Sequence, residues 1–172
     1  MERKSLTLGK LRVGTVLALG AVLLTQAARA DPATGTISYQ SKAGSIVVEV
    51  KNVYLVKGPD EVSGKVIRRL VFSSADLNAK VKACAEMSCA DGNLTEGLTV
   101  DFDAGPRINY WFVGNGQRVQ YSGTAKLEAA HFEVDTPQRL AGKLTLDDSS
   151  AGGPKASIDF DATLLKEFAK AK

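Results

Sequence analysis

Cys84, Met87 and Cys89 place three sulfur donors within the six residues CAEMSC. Soft thiolate and thioether ligands select monovalent copper, so a metal trap is one chemistry open to them. A redox pair fits less well, because the spacing is not C-x-x-C and no βαβ pattern surrounds it. The third chemistry is a disulfide. The chain has two cysteines, five positions apart, and in an exported protein such a pair persists as a bond. That bond is the expectation. Beyond residue 30 only Met87 and His131 could add soft or imidazole donors, which leaves the copper site of Cys84, Met87 and Cys89 as the alternative.

The single tryptophan offers a different chemistry, recognition by stacking. Trp111 lies in RINYWFVGNGQRVQYSG, where Asn115-Gly116 between two β-rich runs signals a hairpin. A two-residue turn there sets Phe112 opposite Val119 and Tyr110 opposite Tyr121 on one apolar face. The other face then pairs Trp111 with Gln120, Asn109 with Ser122 and Val113 with Arg118. An indole ringed by Asn109, Gln120, Ser122 and the Arg118 guanidinium can stack on a sugar or peptide while the amides hydrogen-bond it. The competing reading is structural: Trp111 lies over its own sheet, covered by a helix or capped by Arg118 in a cation–π contact of about 0.5–1 kcal/mol.

Acid–base chemistry has little to work with. His131 is the only histidine, and no G-x-S-x-G nucleophile motif occurs. Asp101 with Asp103, and Asp159 with Asp161, are two apart and share strand faces. They could serve a hydrolase or hold calcium, but without the oxygen-rich loop spacing of a calcium site they read as solvated faces. The chain is therefore expected to be no enzyme and to carry no cofactor.

The elements that would position these residues begin after an address. Arg3, Lys4, Lys10 and Arg12 precede a twelve-residue apolar run, Val13 to Leu24, and then TQAARA. This is the form of a cleaved export signal, with cleavage expected after Ala30. The run is shorter than the roughly 20 residues a spanning helix needs. Removing residues 1–30 takes five of the 22 basic and one of the 19 acidic residues, leaving 17 against 18. The basic character of the whole chain thus belongs to the signal, and with no basic run beyond Arg68-Arg69 a nucleic-acid surface is not expected. Residues 31–172 suit a single domain, periplasmic or secreted, that buries roughly 70% of its unfolded surface.

Alternating apolar and polar residues recur between turn signals from GTISYQ to KASIDFDATLLKEF, where Ile158, Phe160, Ala162 and Leu164 alternate with polar neighbours. In SIVVEVKNVYLVK the alternation stops at Asn52, and Val53 to Val56 is apolar throughout. Either a bulge near Asn52 or burial on both faces accounts for it. One segment is helical instead: Leu77, Val81 and Cys84 follow i, i+4, i+7, and Ser73-x-x-Asp76 has the form of a capping box. A disulfide from Cys84 requires this helix, over about residues 74–85, to end before Cys89, because five residues of helix rise about 7.5 Å. The pattern predicts an all-β antiparallel sandwich or small barrel of about eight strands with one short helix. The corresponding function is a binding or interaction module with a protein, peptide or glycan partner.

Overall fold

A computed structural model describes residues 30–172; the expected export signal lies outside the described residues except for Ala30. Nine strands form: β1 (Asp31–Ser41), β2 (Gly44–Pro59), β3 (Val66–Ser73), β4 (Gly97–Phe102), β5 (Arg107–Gly114), β6 (Val119–Lys126), β7 (Ala130–Thr136), β8 (Arg139–Asp147) and β9 (Lys155–Glu167). Two helices, α1 (Asn78–Ala83) and α2 (Met87–Gly92), sit between β3 and β4. The fold is all-β and predominantly antiparallel, as the alternation requires.

The strands make one sheet, ordered β6-β5-β4-β3-β2-β1-β9-β8-β7, and not two packed sheets. The reason lies in β1. It is hydrogen-bonded to β2 on one side and β9 on the other, so it joins what would otherwise be two halves. Where β1 begins, at Asp31 opposite Val53, β2 and β9 close on each other directly, pairing Leu55 with Leu164 in parallel. At the other end of the series, successive antiparallel pairings leave the edge strands β6 and β7 running in the same direction. A three-residue 3-10 turn, Leu127–Ala129, carries the chain from one edge to the other. The sheet must therefore curl, and ring contacts across its concave face show the curl: Phe102 of β4 meets Phe132 of β7 with centroids 5.3 Å apart. Arg68 of β3 spans the mouth, binding Asp103 at 2.6 and 2.9 Å and also the Asp135 carboxylate of β7.

Two cores result. The concave face buries Ile37, Val53, Leu55, Phe72, Tyr110, Phe112 and Ile158 among others. The convex face of β2 and β3 buries Tyr54, Val56, Ile67 and Val71 beneath Leu77, Val81, Cys84, Met87 and Phe168. This settles the irregularity at Asn52: β2 keeps its register with β3 from Asn52 to Pro59, and Val53 to Val56 is buried on both faces. The bulge is in β1 instead, between Pro32 and Gly35. Gly35 occupies φ 152°, and a Cβ there would sit 2.1 Å from the Ser157 carbonyl oxygen.

The helical segment is shorter than expected and broken in two. Leu77, Val81 and Cys84 do face the convex core. The capping box does not form, because the Tyr54 hydroxyl accepts from Leu77 N at 2.6 Å and donates to Asp76 Oδ1 at 3.0 Å. α1 stops at Cys84, whose ψ of 136° is extended, and the Cys84–Cys89 disulfide closes over a Cα separation of 5.5 Å. α2 has no side-chain cap at Glu86; Met87 N and Ser88 N donate to the carbonyls of Lys170 and Ala171. Asn93 Nδ2 donates to Cys89 O at 2.9 Å and lies 3.3 Å from Cys84 Sγ, closing the far end.

Because the ring closed by the disulfide is short, its loss should be modest. Cys84→Ala/Cys89→Ala is expected to cost ~2 kcal/mol, read as a lower urea midpoint, with the far-ultraviolet β signature retained; loss of the whole fold would show the bond to be more than a local clasp.

Candidate functional site

The convex surface of β3 to β6 can be read as a grid of directly paired residues. One row runs Arg69–Asp101–Asn109–Thr124, the next Val71–Thr99–Trp111–Ser122, and the next Ser73–Gly97–Val113–Gln120. Trp111 lies in the middle row with small neighbours on both sides. The β5–β6 register differs from the expected one: Trp111 pairs with Ser122, Phe112 with Tyr121 and Tyr110 with Gly123. The loop has four residues, Asn115 to Arg118, and Asn115, Gly116 and Gln117 all have positive φ. A shift of two residues preserves the faces, so Trp111 still shares its side with Gln120 and Ser122.

Packing favours the longer loop. Tyr110 lies over Gly123, where any Cβ would approach its hydroxyl to 2.4 Å. That hydroxyl and the one on Tyr121 (2.9 Å) both donate to Asp148 Oδ2 in the β8–β9 connection. On the other side Gln117, at φ 66°, donates from its backbone to Thr95 O and from its side chain to Gly92 O and Leu94 O. These bonds hold a non-glycine residue in a left-handed conformation it otherwise disfavours. They also tie the hairpin to the end of α2.

A groove of about 540 Å³ opens on this surface. Thr99, Trp111, Gln120 and Ser122 form its floor, Met87, Ser88 and Asp91 of α2 one wall, and Pro59 to Val62 of the β2–β3 turn another. Trp111 is 40% exposed. Of the five residues expected to surround a ligand, Trp111, Gln120 and Ser122 line the groove. Asn109 lies one row away opposite Asp101, and Arg118 stands in the loop. The cation near the indole is Arg69, its guanidinium carbon 5.7 Å from the ring centroid. The register explains the substitution, since Arg118 falls outside the ladder while Arg69 reaches past Thr99 from β3.

Arg69 and Asp101 form a buried pair, with Nε–Oδ1 and Nη2–Oδ2 at 2.5 and 2.7 Å. Asp101 is 1% exposed, which corrects the reading of Asp101 and Asp103 as one solvated face. β4 is an internal strand buried along its whole length, and Asp103, at φ 73°, has turned out of the strand to meet Arg68. Asp159 and Asp161 do lie on an open face, paired with Lys143 and Arg139. The remaining Arg69 nitrogen binds Asp91 Oδ2. Asp91 is two-sided: its side chain is 38% exposed, yet Oδ1 is shut away from solvent without a hydrogen-bond donor. That burial pushes its carboxyl up to about 6, Asp101 adding to the shift and Arg69 opposing it.

Of the three sulfurs expected at a copper site, those of Cys84 and Cys89 are joined in the disulfide and offer no thiolate, and that of Met87 is packed into the convex core. His131 stands exposed on β7, opposite Lys143. Arg69, Asp91 and Gln117 were not expected at the site. The signal for Arg69 is the doublet Arg68-Arg69 inside KVIRRLVFS: strand alternation sends the two to opposite faces, and a charge sent into a covered face needs a carboxylate. Comparison with protein-family models, curated proteins and solved structures finds no match for this chain.

Asp101→Ala would strand a buried guanidinium, so a loss of about 3–5 kcal/mol is expected in urea unfolding; Arg69→Met/Asp101→Leu should recover most of it. Because Asp91 ionises near 6 when folded but near 3.8 otherwise, the folded state holds that proton more tightly. Its contribution to stability is then present below about pH 4 and lost as pH rises through about 6. Asp91→Asn removes this dependence, and its melting temperature relative to the native chain should rise between pH 4 and pH 7.5. A flat difference across that range would contradict the assignment.

Proposed function

We propose that this chain is an exported, non-enzymatic binding module, periplasmic or secreted after cleavage behind Ala30, and that its ligand seat is the convex groove around Trp111. The observation that carries the reading is an indole left 40% exposed in a groove whose walls are otherwise well ordered by hydrogen bonds and packing. A tryptophan serving only the core would be expected beneath the two helices, where Tyr54, Val56, Ile67 and Val71 already fill the space. Amphipathic aromatic surface of this kind supplies large contact area at low entropic cost, and a polar ring of Ser122, Gln120 and Gln117 orients what rests on it.

Export accords with two features. The Cys84–Cys89 bond needs an oxidising compartment. Asp31, the first residue after the expected cleavage, is also the first residue of β1, and its carboxylate accepts from Thr163 N at 2.5 Å. No helix among the described residues is long and apolar enough to cross a membrane.

Trp111→Ala is expected to abolish retention on whichever peptide or glycan of an array binds the native chain, with only a small change in melting temperature. A stability loss of about 3–5 kcal/mol, the range for a core aromatic, with binding intact would reject the groove as the seat.

A further inference from the structure

The groove's charges indicate what it accepts. Its charged lining residues are Asp60, Glu61 and Asp91 against Arg69. Arg69 is already committed, since Asp101 takes two of its nitrogens and Asp91 Oδ2 the third. Two carboxylates, Asp91 and Asp101, stand against that one guanidinium, Glu61 faces Lys172, and Asp60 is in no ion pair among the described residues, so the groove beside the exposed indole keeps a net negative charge. Like-charged walls around a low-dielectric floor draw in the opposite charge, and the face of an indole attracts a cation in addition.

The chain itself shows how such a segment sits here. Residues 168–172 read FAKAK and follow β9 along the same wall. Phe168 anchors them in the convex core, the carbonyls of Lys170 and Ala171 accept from Met87 N and Ser88 N, and Lys172 Nζ lies 3.2 Å from Glu61 Oε1. Ala171 thereby lines one part of the groove. An irregular, basic stretch thus already uses the acidic turn and α2 together.

Resting on the groove as the seat, we infer that its open length takes a basic, extended peptide segment of a partner protein. A lysine or arginine stem lies across Trp111, with its charged end at Asp60 of the β2–β3 turn. The ligand's aliphatic stem then covers the indole while its cation meets the acidic wall. Neutral sugars would use the floor without the charge attraction of Asp60 and Glu61, and an acidic peptide would be repelled by them.

Trp111, the chain's only tryptophan, reports occupancy directly through its fluorescence. The purified protein is titrated with acetyl-(Gly-Lys)3-Gly-amide, acetyl-(Gly-Glu)3-Gly-amide and chitotetraose. The expected result is a saturable emission change with the lysine peptide alone, weakened about fivefold by Asp60→Asn/Glu61→Gln and weakened again in 0.5 M salt, as exposed charge pairs are. Asp60→Asn keeps a side-chain oxygen for Ser63 N and Glu61→Gln removes only an exposed pairing with Lys172, so the melting temperature should stay near the native value. Equal response to the lysine and glutamate peptides, or affinity indifferent to the double variant, overturns the basic-peptide assignment while leaving the groove as a seat. A response to chitotetraose alone does the same. Silence from all three probes overturns both the assignment and the groove reading.

Discussion

Val53 to Val56 of β2 must bury alternate side chains in opposite directions, and the molecule is arranged around that requirement. Val53 and Leu55 join the concave core, while Tyr54 and Val56 join the convex one. A sheet with one wet face needs only one layer of cover. This sheet has a second apolar face over β2 and β3, and water must be kept from it. The chain supplies the cover locally with α1, α2 and Phe168. Tyr54 does double service, filling the core with its ring and ordering the start of α1 with its hydroxyl.

The cover stops partway across the sheet, and the groove lies where it stops. α2 reaches Arg69 through Asp91 but leaves Trp111, two strands on from Arg69, 40% exposed. A buried ion pair is a poor source of net stability, because desolvating both partners offsets most of the attraction. Here it gives the convex face a fixed polar floor in a place where an apolar pair would pack as well. Asp91 then joins α2 to that floor through Arg69. The helix, the disulfide, the hairpin bonds of Gln117 and residues 168–172 all meet around one opening, so its walls are held from several directions.

The concave face has a different organisation. Its aromatic residues meet in edge and stacked pairs across the curl, as Phe72 does with Phe160 at 5.5 Å. Asp148 anchors the phenols of Tyr110 and Tyr121, tying the β8–β9 connection to the strands near one sheet edge. These contacts fix the β5–β6 register and, through it, which residues stand beside Trp111 on the opposite side. The site is therefore set partly by packing on the face it does not occupy.

Read alone, the sequence determined the strands, the stop of the helix between the two cysteines once they are bonded, and the face on which Trp111 lies. All three follow from local chemistry: side chains alternate with period two, a helix cannot bridge residues five apart with a disulfide, and a hairpin shift of two residues leaves faces unchanged. It also marked β2 as exceptional at Asn52 and offered two explanations between which only burial could choose. The single curled sheet, the replacement of the Ser73–Asp76 capping box by the Tyr54 hydroxyl, the Arg69–Asp101 pair and the replacement of Arg118 by Arg69 beside Trp111 were decided by tertiary structure. Each depends on a partner distant in sequence: β9 beside β1, Tyr54 under α1, Asp101 across from Arg69, Asp148 beneath Tyr110. Periodicity states which way a residue points, and only the assembled sheet states what it meets there.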